Sequence, residues 1–114
     1  MPIPSVLKES VDKEIESFCF RKFPLHVRDR VWATHRWRSD TVTIFEWRTL
    51  FDSPQKAVDI KVAQFRYDAV SRRWSLFCAD RNGRWHKYDG VRPSEKFSDL
   101  LDEVDQDPTG IFWG

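Results

Sequence analysis

Apolar residues first recur at helical spacing, at Leu7, Val11, Ile15 and Phe18, with Lys8, Glu9, Lys13 and Glu16 on the opposite side. This predicts a helix that lays one face on a sheet. Ser5 is its expected N-cap, and it ends before Pro24, because the residue preceding a proline is pushed out of the α region. From about Val27 to Trp37 the period becomes two, placing Val31, Ala33, His35 and Trp37 on one face and Arg30, Trp32, Thr34 and Arg36 on the other. Ser39-Asp40 makes a turn. A second strand, Thr41 to Arg48, alternates Thr43, Phe45 and Trp47 against Val42, Ile44, Glu46 and Arg48. Thr49 to Asp59, containing Asp52-Ser53-Pro54, reads as the longest irregular connection. A third strand, Ile60 to Tyr67, sets Ala63, Phe65 and Tyr67 against Val62, Gln64 and Arg66, and its aromatic face is expected to match that of Phe45 and Trp47.

After a turn around Asp68 to Arg72, a fourth strand runs from Trp74 to Ala79 and a fifth from Arg84 to Tyr88. Between them Asn82-Gly83 tolerates the positive φ of a tight type I′ hairpin. Pro93-Ser94 opens a second helix, with Ser94 as the expected N-cap and Phe97, Leu100, Leu101 and Val104 as its apolar stripe. Asp107-Pro108-Thr109-Gly110 stops that helix. Ile111-Phe112-Trp113 is too apolar to stay in water, so a docked C-terminus is expected. Short connections make an antiparallel meander the economical topology. The predicted fold is α+β: one domain over residues 1–114, with a five-stranded antiparallel meander flanked by an N-terminal and a C-terminal helix.

Composition changes this picture in two respects. Six Trp, nine Phe and two Tyr exceed what a small core requires, which places some aromatic area at a partner surface or under the chain ends; with only two helices for a two-faced sheet, one face shared in a homodimer is expected. The net charge of +1 hides an uneven distribution. Arg21 to Arg38 carries six bases against Asp29, a local +5; Arg72 to Arg92 carries six against Asp80 and Asp89, a local +4; Glu95 to Asp107 carries six acids against Lys96, a local −5. A basic middle with an acidic tail is the footprint of a polyanion-binding face, or of a tail that folds back onto the basic strands and neutralises them.

Cys19 and Cys78 lack neighbours at metal-ligand spacing, so no metal or other cofactor is expected. With no signal-peptide layout at the N-terminus and no long apolar run, the sequence reads as a cytoplasmic protein with two reduced, buried thiols and no membrane segment.

Several runs together resemble a known family. These are Pro24-Leu25-His26-Val27-Arg28-Asp29, Val42-Thr43-Ile44-Phe45-Glu46, Phe65-Arg66-Tyr67, Asp80-Arg81-Asn82 with Trp85-His86 and Tyr88-Asp89, and the ending Asp107-Pro108-Thr109-Gly110-Ile111-Phe112-Trp113-Gly114. They resemble the bacterial proteins grouped as domain of unknown function 3024, over nearly the whole chain. The resemblance implies a small bacterial protein and brings no activity, cofactor or catalytic residue with it.

The candidate chemistry therefore comes from side chains. Arg84, His86 and Tyr88 alternate onto one face of the fifth strand near Asp80 and Arg81, and imidazole, phenol and guanidinium suit metal-independent RNA cleavage. The plain alternative pairs Arg84 with Asp80 or Asp89 across the turn. Glu46, Arg48, Gln64 and Arg66 are expected to share the less aromatic face of adjacent strands, where cross-strand charge pairing explains them without a ligand. A carboxylate-metal nuclease assembled from Glu46, Asp80 and Asp89 is neither supported nor excluded by spacing. The basic and aromatic stretch Arg28 to Arg38 puts Trp32, Arg36 and Arg38 on one face, as sheet surfaces that hold single strands do. Trp37, on the other face, reads as core, as does His35; His26 reads as structural.

The favoured expectation is a non-enzymatic module binding nucleic acid, RNA or single-stranded DNA, through Arg30, Trp32, Arg36, Arg38, Arg81, Arg84 and Lys87. The alternatives are a toxin-like ribonuclease using His86, Tyr88, Arg84 and Arg81, and a protein-interaction adaptor using exposed aromatics.

Overall fold

A computed structural model of the chain describes residues 2–114. Helix α1 spans Ser5–Lys22, a short 3-10 turn follows at Leu25–Val27, and the strands are β1 Val31–Arg38, β2 Thr41–Leu50, β3 Ser53–Asp68, β4 Arg73–Ala79 and β5 Trp85–Lys87. Helix α2, Phe97–Gln106, completes the fold. The sheet order is β1-β2-β3-β4-β5 with every neighbour antiparallel, so the architecture is an α+β meander with an N-terminal and a C-terminal helix. No helix among the described residues is long and apolar enough to cross a membrane.

Both helices pack on one face of the sheet. Val11, Ile15, Phe18 and Cys19 of α1 and Phe97, Leu100, Leu101 and Val104 of α2 are buried in a single cluster with Ala33, Val42, Ile44, Ala63, Phe65, Trp74, Leu76 and Cys78 from the strands. Removing each large apolar side chain from water contributes roughly 1.5 to 3 kcal/mol. Trp74 sits at the centre, with Trp37, Tyr67 and Phe97 around it at 6.3, 5.0 and 5.1 Å between ring centroids. Its indole N–H has no acceptor among the described residues, a desolvation cost of about 1 to 3 kcal/mol that the aromatic packing offsets. The C-terminus is docked through two of its three closing apolar residues: Phe112 is buried and the Trp113 indole donates to the Val104 carbonyl at 3.0 Å, whereas Ile111 remains exposed.

The register corrects the expected faces. Arg38 lies opposite Thr41 across Ser39-Asp40, so Trp37 faces Val42 and the core side of β2 is Val42, Ile44 and Glu46. Phe65 pairs with Val42, and Gln64 with Thr43. Phe45 and Trp47 therefore lie on the face opposite Phe65 and Tyr67, not with them. Between Ile44 and Phe45 the partner in β3 shifts from Ala63 to Lys61, leaving Val62 as a bulge whose side chain is buried beside that of Ala63.

Other boundaries also move. Residues 49–59 are not a loop: β2 runs to Leu50, turns through Phe51-Asp52, and β3 starts at Ser53. From Ser53 to Lys61 the only strand beside β3 among the described residues is β2, and the register jumps from Ala57 opposite Thr49 to Ser53 opposite Leu50, so Pro54 falls in an irregular edge stretch where its missing N–H is tolerated. β1 starts at Val31 rather than near Val27, because Leu25–Val27 turns as a 3-10 segment. Ser5 is the first residue of α1 rather than its cap; Pro4 precedes it at φ −57°. Ser94 is held in a β-bridge to Trp74, so α2 begins two residues later than a cap at Ser94 would set it, at Phe97. Ser94 still orders that start, accepting from the Lys96 N–H at 3.0 Å and donating to Asp99 at 2.9 Å.

Candidate nucleic-acid interface

The sheet face away from the helices is uncovered, and the register arranges it in rows. Arg38, Thr41, Arg66 and Ser75 form the row nearest the β1–β2 turn. Arg36, Thr43, Gln64, Phe77 and Lys87 form the next, then Thr34, Phe45 and Lys61, then Trp32, Trp47 and Asp59. Trp85 lies opposite Ala79 on the same face.

Aromatic rings and cations are interleaved across these rows. Trp32 and Trp47 stack with centroids 3.9 Å apart and planes 10° from parallel. The Arg36 guanidinium lies over Phe45 at 4.5 Å, that of Arg66 over Phe77 at 3.7 Å, and the Lys61 ammonium 5.7 Å from Trp85. Such contacts let rings stay at a water-facing surface, because the cation gains from the ring quadrupole while the ring edge remains available. An open groove of about 800 Å³ crosses this face, lined by Arg36, Arg38, Thr41, Thr43, Phe45, Lys61, Gln64, Arg66 and Trp85 among others.

The electrostatics follow from topology. Arg36, Arg38, Lys61, Arg66, Arg73 and Lys87 lie on the open face by strand alternation, against Asp59 and Asp68. Asp68 is engaged by the Val70 N–H and the Ser71 hydroxyl, and Asp59 by Arg36 at 2.7 Å. The acidic tail does not fold over these strands: α2 packs on the other face, through Phe97 against Phe65 and Trp74.

Of the residues expected to bind, Trp32, Arg36, Arg38 and Lys87 are brought together here. Arg30 lies just before β1, its Nε 3.8 Å from Asp29. Arg81 and Arg84 are in or beside the β4–β5 turn. Arg28, in the same basic stretch, is structural: it donates to the Phe20 carbonyl at the end of α1 and covers the Phe20 ring at 4.1 Å. Phe45, Trp47, Lys61, Arg66, Phe77 and Trp85 belong to the face but were not among the expected binding residues.

The β4–β5 connection is a three-residue loop, not a two-residue type I′ turn. The Gly83 N–H closes onto the Asp80 carbonyl at 2.9 Å, Gly83 takes φ +76°, and the Asp80 N–H bonds the Arg84 carbonyl at 2.9 Å, as in a turn followed by a glycine bulge. Asp80 organises it, one carboxylate oxygen accepting from the Asn82 and Arg84 N–H groups at 2.8 and 3.0 Å and the other 2.7 Å from His86 Nε2. These bonds favour the charged form and hold the Asp80 carboxyl below its ordinary value, His86 first among them.

His86 and Tyr88 point to different partners. His86 is opposite Cys78 on the helix side of β5 and exposed. Tyr88 is buried, packs on Phe112 at 5.0 Å and donates to Glu103 of α2 at 2.6 Å, which raises its phenol above the ordinary value. A Cβ on Gly90 would collide with the Tyr88 ring, so glycine is required there.

The cluster Glu46, Arg48, Gln64 and Arg66 is split between faces. Glu46 is 6% exposed on the helix side and pairs with Arg48 at 2.9 Å, whereas Gln64 and Arg66 are on the open face, where Arg66 Nε donates to Gln64 at 2.7 Å. Among the described residues no three His, Cys, Asp or Glu side chains gather as a metal site. Both cysteines are free and buried, and burial pushes the Cys19 thiol up to about 12.

Comparison with curated proteins and with solved structures gave no match. A family profile, described as Domain of unknown function (DUF3024), matches residues 3–114, and the chain belongs to that family.

Proposed function

We propose that the open sheet face binds single-stranded nucleic acid, RNA or single-stranded DNA, without chemistry on it. The observation that carries this reading is the lattice of cations and rings on the face opposite the acidic helix. Bases stack on exposed rings at about 1 to 3 kcal/mol each, and phosphates held by Arg and Lys release counterions. Trp32, Arg36, Arg38 and Lys87 act with Phe45, Trp47, Lys61, Arg66, Phe77 and Trp85; Arg30, Arg81 and Arg84 extend the positive surface at its margins. The reading places the protein in the bacterial cytoplasm, where two buried cysteines stay reduced.

The test is fluorescence anisotropy of a labelled mixed-sequence RNA, followed for an hour at low and high salt. A salt-sensitive rise that stays level is expected, and a flat trace at low salt overturns the proposal. The paired His86 and Asp80 favour a second reading, a metal-independent ribonuclease with Arg84 and Arg81 beside them. That reading requires the anisotropy to decay below the free-RNA value and His86→Ala to stop the decay. The unpaired β3 edge from Ser53 to Lys61 favours self-association as a homodimer, which a strictly monomeric mass at high concentration rules out.

A further inference from the structure

We infer that Arg38, Thr41 and Arg66 form a phosphate subsite at the turn end of the open face, where the nucleic-acid backbone is held. The inference rests on the reading of that face as a nucleic-acid surface. Arg38 is opposite Thr41, and Thr41 opposite Arg66, so two arginine side chains leave the open face from either side of one threonine, their backbones about 10 Å apart across three strands. All three line the groove.

These two arginines differ from their neighbours in what engages them. Arg36 is held by Asp59 at 2.7 Å, and Lys61 donates to the Gly83 carbonyl at 2.8 Å. Arg38 has no ion pair among the described residues. Arg66 is fixed by its Nε bond to Gln64 and by the Phe77 ring at 3.7 Å, which leaves the forked end of its guanidinium for an anion at little further entropic cost.

Among the described residues no carboxylate pairs with Arg38 or Arg66. Asp40, nearest in sequence to Arg38, accepts the Ile3 N–H at 2.9 Å, and Asp68, beyond Arg66, is satisfied within the β3–β4 turn. Phe45 lies four residues along β2 from Thr41, about 13 Å away. A strand gripped at this row therefore passes its following bases over the aromatic rows.

The experiment measures binding of a labelled twelve-nucleotide oligouridine as a function of salt, for the wild type, Arg38→Gln, Arg66→Gln, the double variant, Thr41→Val and Lys13→Gln. Each arginine variant is expected to lower the slope of log K against log salt by about 0.7, and the double variant by about twice that. Lys13→Gln removes the same charge from α1 on the other side of the sheet, beside Glu9, and is expected to keep the wild-type slope. Thr41→Val is expected to weaken binding at every salt concentration with the slope retained; unchanged affinity removes Thr41 from the subsite. Salt-sensitive wild-type binding with the full slope in both arginine variants overturns the subsite and leaves the wider reading standing. No binding by the wild type at low salt overturns both.

Discussion

Arg36 of β1 reaches across β2 to Asp59 of β3, with 2.7 Å between Nη2 and Oδ2 and the guanidinium lying over the intervening Phe45 ring. Asp59 thereby occupies a guanidinium that a phosphate would otherwise take. Both side chains are partly exposed, 59% and 37%, so the pair contributes less than about 1 kcal/mol to stability. Asp59→Asn is expected to leave the urea midpoint almost unmoved, to tighten RNA binding and to steepen its salt dependence by about 0.7. An unchanged slope in a variant that still binds means that Arg36 is not recruited.

Asp12 ties α1 to β1 by accepting from His35 Nε2 at 2.6 Å and from the Trp37 indole at 2.8 Å on one oxygen. The His35 bond first, then that of Trp37, hold the Asp12 carboxyl below its ordinary value of 3.8. In the window between the lowered folded value and the ordinary one, the unfolded chain binds more protons, so stability rises with pH there. The contribution is complete above the ordinary carboxylate value and is lost as pH falls through the folded one. Urea midpoints measured from pH 6 down to pH 2 are expected to show this fall in the wild type and a shallower one in Asp12→Asn. At pH 6 that variant is expected to be less stable by about 1 to 2 kcal/mol, because hydrogen bonds to a charged acceptor become bonds to a neutral one.

Tyr88 belongs to the scaffold. Its hydroxyl fixes Glu103 of α2, and its ring rests on Phe112, so Tyr88→Phe keeps the packing and removes one buried donor. A loss of about 1 kcal/mol is expected, with RNA affinity unchanged because the side chain is on the helix side. Denaturation and anisotropy on the same preparation check both halves. A collapse of RNA turnover in this variant, with stability retained, would instead favour the ribonuclease reading.

The faces of β1 were legible from alternation alone, and those of β2 followed from features already readable in the chain. A two-residue turn at Ser39-Asp40 sets Arg38 against Thr41, so a core Trp37 requires a core Val42 and Ile44 and turns Phe45 and Trp47 outward. Grouping the aromatic residues into one face misled because the outward rings are covered without entering the core: Arg36 lies over Phe45, and Trp47 stacks on Trp32. The bulge at Val62 has no sequence mark, since one extra residue in a strand changes no composition. Pro54 looked like a loop residue because proline breaks ladders, yet an edge strand tolerates it. The Asp12–His35 and Tyr88–Glu103 contacts join residues 23 and 15 positions apart, beyond the reach of any periodicity within one element. Ser94 carries the residue type of a cap, but its backbone is already committed to Trp74.

Trp32 is the ring through which the stacking half of the proposal is most directly tested. It is 38% exposed on β1 and lies flat against Trp47, directly opposite it on β2, so each indole is oriented before any base arrives and little ordering entropy remains to be lost. A base that stacks on the outer face of this pair gains about 1 to 3 kcal/mol, which converts to a loss of roughly five- to 150-fold in RNA affinity for Trp32→Ala. The salt slope should not change, because no phosphate contact is removed. Wild-type tryptophan fluorescence is expected to be quenched by the oligouridine, and less so in the variant. Affinity lost together with slope would assign Trp32 to positioning the arginines, and affinity unchanged would remove the indole pair from the binding surface.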